Sequence, residues 1–526
     1  MKEASMSMAR STLIVGLGTV GSRLLGFGRD LLLARIFGAG PVADALLLAL
    51  RIPNLVRRVM GEGGLNAGFV PIYTGIRTRD GERPAGLFAA RALANLGLVL
   101  LVLVVFGMIG AHLIVLALAP GYAETPSEAQ RTASFLRAAL PFLMGVGLAT
   151  LIAAWLNAER RFTLAALAPM IVNAVLIAAL LALLGLSPPP EMAAWLFAAA
   201  WSVAGLLQLA LMLGALRRLT GGSGGLLVRP GLDGDQLRLL RIGLPTFLAA
   251  GAAQFMNLAA TLVASFTPSA VSWLYFADRV FQLPLGFVAV AVATVILPEF
   301  ARAEASGDHA RARSLANRAI EASIALSLPA SVALAVLALP IARVLFEHGA
   351  FGPQDSAGTA RVLLGMAIGL PFATMGKVLS QACFARGDWK VPTVAALLGL
   401  LATVLVAGVM EPVDAPLGLG LGVSAGLLAY CVAQAVALLR AGVWRPDARL
   451  IMRLPGFLMA SLIMGLAVGL LAQVLAGALA QPVHAGLRLT LLLGLCAAGV
   501  LVYAGSAMLL RALRLSELVA MWRARS

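Results

Sequence analysis

Charged side chains stand inside stretches otherwise built from Leu, Val, Ala and Gly. Arg23, Arg29 and Asp30 share one such stretch, Asp44, Arg51, Asn54, Arg57, Arg58 and Glu62 the next, and Asp278 and Arg279 a later one. Arginine stays protonated in a low dielectric, and its planar fork matches a pair of phosphate oxygens; lysine would shed its proton in the same place. The chemistry these groups offer is recognition of an anion rather than bond cleavage. An arginine at the centre of a membrane helix costs about 2.5–3.5 kcal/mol on insertion scales, so several together cannot all face lipid. They line a wet cavity, pair with acids, or reach an interface.

Spacing sharpens this reading. Arg51, Asn54, Arg58 and Glu62 are separated by steps of 3, 4 and 4, one stripe of a helix, with Arg57 close to Asn54 and Pro53 a source of bending. Arg23 and Asp30, seven apart, also share a stripe. A purely structural arrangement would pair Arg23 with Asp30, Arg58 with Glu62, and Arg279 with Asp278 or Glu299, while Arg91 and Lys377 extend to an interface. That pairing leaves cations over, an excess of positive charge suited to an anionic partner.

The elements that must position these groups are membrane helices. The 526 residues are 60% hydrophobic and 12% charged, too little charge for a soluble surface, and about 20 apolar residues span a bilayer as helix. Fourteen such stretches are expected near 10–35, 42–74, 86–119, 132–157, 164–186, 192–216, 242–267, 270–298, 318–346, 358–384, 391–410, 418–439, 455–478 and 488–511. Of the 40 Lys and Arg residues, 26 fall at the chain ends and in alternate loops, among them Arg77, Arg160, Arg217, Arg302, Arg386 and Arg440. The opposite loops carry acids such as Glu124, Glu347 and Asp414. This asymmetry places both termini in the cytoplasm, accounts for the net charge of +16 without nucleic acid, and comes with no cleavable signal at the start of the chain. Cys383, Cys431 and Cys496 have neither zinc nor disulfide spacing, and the four histidines are scattered, so a metal site is not placed.

A weak internal repeat is visible. Arg51 with Pro71 and Asp80-Gly81 matches Arg279 with Pro298 and Gly307-Asp308, at an offset of about 228 residues. Six spans lie in that interval, so the two copies share an orientation, as in transporters built from parallel repeats. The expected organisation is an N-terminal lobe over 1–217, a linker over 218–241 with the glycine-rich run Gly221–Gly225, a C-terminal lobe over 242–440, and two added spans with a tail over 441–526. Gly376-Lys377 lacks the rest of a P-loop, and both Gly-x-Ser-x-Gly runs, Gly221–Gly225 and Gly422–Gly426, lack a strand–turn–helix setting. No enzyme site is expected. Any work must draw on an ion gradient or the membrane potential, worth about 2.3 kcal/mol per charge per 100 mV.

Specific motifs resemble a known family. Ser22–Asp30, Ala34–Gly40 with Asp44-Ala45, Pro53–Arg58, Glu62-Gly63, Phe69–Pro71, Ala119–Gly121, Val271–Arg279 and Gly349-x-Phe351 are similar to the signatures of the MurJ (MviN) lipid II flippases, within the superfamily of multidrug and oligosaccharidyl-lipid exporters. The resemblance implies an all-α polytopic membrane protein. Two six-helix lobes would enclose a central cationic cavity, with two extra C-terminal helices holding a polyprenyl tail. It implies transport of undecaprenyl-pyrophosphate-linked lipid II from the cytoplasmic to the periplasmic leaflet of the inner membrane by alternating access. Arg23, Arg29, Arg57 and Arg279 would bind the substrate, with Asp30, Asp44, Asn54 and Glu62 beside them. No cofactor is implied beyond coupling to the membrane potential or a monovalent cation. Membrane lipids and cell-wall synthesis proteins are the expected further partners. Gly352 departs from the Thr or Asp common after Phe351 in the family, which leaves the role of that turn open. The readings in competition are a drug/cation antiporter of the same superfamily, a membrane enzyme acting on lipid phosphates, and a scaffold for cell-wall assembly.

Overall fold

The computed structural model describes residues 2–60, 65–219, 228–295, 297–480 and 485–513, and among these every regular element is a helix. The chain divides into two compact units, Met1–Gln254 and Phe255–Ser526. The first holds α1 (Lys2–Phe37), α2 (Pro41–Val59), α3 (Leu65–Asp80), α4 (Glu82–Ile109), α5 (Ala111–Leu118), α6 (Pro126–Ala139), α7 (Phe142–Ala158), α8 (Phe162–Leu186) and α9 (Pro190–Leu219). Helix α10 (Gly234–Ala264) crosses the division. The second unit continues with α11 (Ala270–Val295), α12 (Leu297–Ala305), α13 (His309–Val336), α14 (Ala338–Phe346), α15 (Pro353–Ala367), α16 (Leu370–Ala385), α17 (Lys390–Arg440), α18 (Ala448–Val474), α19 (Ala476–Ala480) and α20 (Ala485–Leu509).

Over the described residues, each of the fourteen expected spans is mainly helix. Among the described residues, and by length and composition, eight helical stretches are apolar enough to cross a membrane, with α6 and α7 counted as one, or nine when α15 and α16, bent by 48°, also count as one. Helix α2 is not in that set: Asp44, Arg51, Arg57 and Arg58 stand among its 19 residues. The expected eleventh and twelfth spans merge in α17, which runs through a non-helical Asp414 (φ −159°, ψ 85°) flanked by Pro412 and Pro416. Arg361 pairs with that carboxylate at 2.7 Å. The expected linker at 218–241 gives way to helix at Gly234, where Asp233 caps α10 by accepting the Gln236 N–H at 2.8 Å.

In the first unit, α1 lies along α8, and glycines allow the approach. A Cβ on Gly18 would stand 3.0 Å from the Ala166 carbonyl oxygen. Helices α7 and α9 cross closer still: a Cβ on Gly145 would meet the Gly205 carbonyl carbon at 2.2 Å. Tyr73, Phe69, Phe88 and Trp155 form an apolar core between α3, α4 and α7. The segment before α10 is clamped to α4. Asn95 donates to the Gly231 carbonyl at 3.0 Å and accepts from its N–H at 2.9 Å, while Gln236, almost wholly buried, donates to the Phe88 carbonyl. Arg91 pairs with Asp233 of the segment before α10 at 2.5 Å. Burial pushes the Asp233 carboxyl up, and the Gln236 N–H together with Arg91 outweighs it, so the group sits below the usual carboxylate range.

In the second unit, Phe276, Phe346 and Phe351 meet edge to face or tilted at 5.0–5.8 Å. The turn before α15 thereby has a packing role: Gly349 takes φ +64°, Phe351 is buried, and the Asp355 carboxylate accepts the Gly352 N–H at 2.9 Å. Glu321 on α13 is buried and pairs with Arg318, Arg449 and Arg453, which draws α18 onto α13.

The order of elements repeats at a nearly constant offset. First residues are 227 apart for α4 and α13 (Glu82, His309), α5 and α14 (Ala111, Ala338), and α6 and α15 (Pro126, Pro353). They are 228 apart for α7 and α16 (Phe142, Leu370) and for α8 and α17 (Phe162, Lys390). Gly81 and Gly307 both adopt left-handed backbone, φ +93° and +75°, where the chain turns into a 28-residue helix. Ion pairs repeat as well, with opposite polarity. Arg77 bonds Glu82 at 2.8 Å and Glu159 at 2.6 Å. At the matching positions Glu304 faces His309 at 3.8 Å and Arg386 at 3.2 Å.

Candidate anion-binding arginines

Arg29 is the most constrained of the candidate side chains. It lies near the C-terminal end of α1, nine-tenths buried. Its Nε and Nη2 donate to Asp30 Oδ1 at 3.0 and 2.7 Å, and its Nη1 donates to Asn173 Oδ1 on α8 at 3.3 Å. The Asn173 amide in turn donates to the Ser22 carbonyl at 3.1 Å, which ties α8 to α1 two turns before Arg29. The guanidinium carbon stands 5.3 Å from the centre of the Trp201 ring on α9. A guanidinium has five N–H donors. Three are engaged, and two have no acceptor among the described residues. The buried Arg29–Asp30 pair is neutral overall, so Arg29 offers directed donors more than net charge.

Asp30 therefore pairs with its neighbour and not with Arg23. The expected Arg23–Asp30 pair spans seven residues, about 10 Å of helix rise, while the flexible Arg29 side chain folds back onto the adjacent carboxylate. Arg23 is exposed and makes no ion pair among the described residues. Arg57 donates through Nε and Nη2 to Asn54 Oδ1, both at 3.4 Å, as their i, i+3 spacing allows. Asn54 is itself fixed by donating to the Leu50 carbonyl at 3.1 Å. This contact orients the Arg57 guanidinium relative to α2. Asp44 is buried in the first turn of α2, where a carboxylate favours the helix dipole. It lies near Tyr122, whose phenol is pushed up by burial first and then by Asp44 and Glu128. Glu62 lies outside the described residues, as does the side chain of Arg58.

In the second unit, Arg279 on α11 lies over the ring of Tyr275, one turn earlier, with its guanidinium carbon 4.6 Å from the ring centre and Nη2 donating to the phenol oxygen at 3.0 Å. Asp278 accepts from Gln282, and Glu299 faces Arg311 at 3.6 Å. The pairings expected from neighbouring acids are replaced by an aromatic face beside Arg279 and by other partners for the two acids.

Three residues absent from the sequence-based set help hold these arginines. Asn173 carried a signal, a lone amide within an apolar stretch. Tyr275 lies within the Val271–Arg279 motif, though that motif did not single it out from its neighbours; Trp201 carried no signal, since single aromatic residues are ordinary in membrane helices.

A family model described as lipid II flippase MurJ matches residues 33–505. A probable lipid II flippase MurJ of Rhizobium meliloti (strain 1021) is 36% identical over 504 residues, 95% of this chain and 93% of its own. The lipid II flippase MurJ of Burkholderia cenocepacia is 29% identical over 454 residues, covering 84% of this chain and 86% of its own. Among solved structures, a lipid II flippase MurJ in an inward closed conformation aligns with a TM-score of 0.77 at 22% identity, over 94% of this chain and 98% of that one. An inward-facing multidrug resistance MATE family transporter of the MOP superfamily aligns with a TM-score of 0.63 at 15% identity, over 80% and 95%. The shared fold is that of polytopic all-helical membrane proteins with 14 transmembrane helices.

Proposed function

The chain belongs to the lipid II flippase MurJ family, and we propose on that premise that it carries lipid II from the cytoplasmic to the periplasmic leaflet of a bacterial inner membrane by alternating access. The observation that carries this reading is the family match over residues 33–505. The arginine geometry supports the mode of binding. Arg29 presents its two remaining N–H groups to the pyrophosphate, Arg57 is aimed by Asn54, and Arg23 and Arg279 supply further positive charge. The polyprenyl tail stays in lipid along α18 and α20, which pack together and leave Leu466, Val500 and Leu501 largely exposed. Both termini lie in the cytoplasm, as the distribution of arginines among the loops requires. The cargo changes side and not structure, so no nucleophile or acid–base group is assigned. The driving force is the membrane potential or a monovalent cation gradient.

The test is lipid II accessibility at the outer face of cells depleted of their own flippase and supplied with this chain. Lipid II becomes accessible when the chain is present, and collapse of the membrane potential reduces the signal if the potential drives the step. Chemical conversion of lipid II would point to an enzyme, and transport of organic cations in place of lipid II to a drug antiporter.

A further inference from the structure

Trp201 is closely packed within the first unit, and its indole N–H has no acceptor among the described residues. Its ring is almost fully buried and meets Phe142 edge-on, centroids 5.1 Å apart at 75°. One turn later Gly205 forms the close crossing of α9 with α7, where an added Cβ would stand 2.8 Å from Phe142. The adjacent Ser202 hydroxyl donates to the Ala138 carbonyl at 2.6 Å. A buried tryptophan ordinarily places its indole N–H on an acceptor, yet Trp201 Nε1 has no partner among the described residues. Burying an unpaired donor costs free energy that a phenylalanine or leucine would not incur. What the indole supplies and those residues do not is its broad, electron-rich face, and that face is turned to the Arg29 guanidinium at 5.3 Å.

We propose that Trp201 is a positioning residue for Arg29. Asp30 and Asn173 hold the guanidinium by its edges, and the indole holds it by a face. Together they fix the plane of the fork, so that its two remaining N–H groups point in one direction and a diphosphate meets them already arranged. Trp201 acts through Arg29 and does not itself touch the cargo. The inference rests on the reading of Arg29 as a pyrophosphate contact.

The test uses the full-length protein in lipid nanodiscs and undecaprenyl pyrophosphate as the probe, with Kd and melting temperature read on the same samples. Arg29→Ala weakens binding by about tenfold or more. Trp201→Met, which fills the space with a flexible apolar chain, weakens it by about tenfold, as loss of a desolvated cation–π contact implies. Trp201→Phe, which keeps a smaller π face, stays within about threefold of the parent protein and serves if the methionine variant does not fold. Trp201→Met added to Arg29→Ala causes no further loss. The proposal is overturned if Trp201→Met binds like the parent while Arg29→Ala does not, or if the two losses multiply in the double variant. Parent-like binding by Arg29→Ala would overturn the underlying reading of Arg29 and this inference with it. A residue that served only packing would lower the melting temperature and would show no dependence on Arg29.

Discussion

Two N–H groups of Arg29 are left over after Asp30 and Asn173 have taken three, and the shape of the guanidinium decides their use. A lysine at this position keeps the charge but has three donors and no planar fork, so it cannot reproduce the two-point contact with Asp30, the contact with Asn173 and a two-point contact with phosphate. Arg29→Lys is accordingly expected to lower lipid II flipping by at least about tenfold while leaving expression near normal, measured by lipid II accessibility in depleted cells. Flipping within twofold of the parent would show that charge alone suffices. Arg29, Asp30, Asn54 and Arg57 were legible in the sequence because ionic and amide groups are costly in apolar helices and must have a reason to be there. Their partners were not. Whether Asp30 turns to Arg23 or to Arg29 depends on side-chain reach, which spacing along a helix does not settle. The aromatic faces beside Arg29 and Arg279 depend on which helices become neighbours.

Helices present these groups only if their crossings hold. The α7–α9 crossing leaves no room for a methyl group at Gly145, whose Cβ would fall 2.2 Å from backbone. Gly145→Ala therefore forces the helices apart and is expected to cost about 1–3 kcal/mol, the usual range for overpacking, read as a lower melting temperature in detergent; an unchanged melting temperature would mean the crossing yields. The short helix α12 is tied to the end of α16 through Glu304 and Arg386. The matching pair in the first unit carries the opposite polarity, so the geometry tolerates either sense. Glu304→Arg and Arg386→Glu should each reduce flipping, and the double reversal should restore most of it in the same accessibility assay. A double variant no better than either single would assign the residues to some other contact. Breaks within elements were harder to foresee than the elements. The expected single span at 42–74 contains two helices, α2 and α3, and two expected spans merge through Asp414 into one run of helix. Proline marks many of these places, but Pro53, Pro169 and Pro284 sit inside continuous helix, so the residue alone does not identify a break.

Across the whole molecule the repeat is far plainer in the order and length of elements than in the residues. Only a few side chains match at an offset of about 228, whereas helix starts from α4 to α8 recur at 227 or 228. Apolar helices accept many sequences, so a repeated arrangement of helices needs few matching side chains. On the loop charges, Ser306, in a turn, and Ser127, at the start of α6, are expected on opposite sides of the membrane; both are exposed. With Cys383, Cys431 and Cys496 replaced by serine, Ser127→Cys is expected to react with an impermeant maleimide in intact spheroplasts, and Ser306→Cys only after the membrane is opened. The reverse pattern would invert the topology. The most direct test of the account is made on purified protein in vesicles, with lipid II placed in one leaflet and its arrival in the other followed over time. The parent protein is expected to move lipid II chemically unchanged, and Arg29→Ala, folded and inserted to the same extent, to move it at less than about a tenth of the rate. Equal rates for the two proteins, or no movement by the parent under an imposed membrane potential and cation gradient, would contradict it.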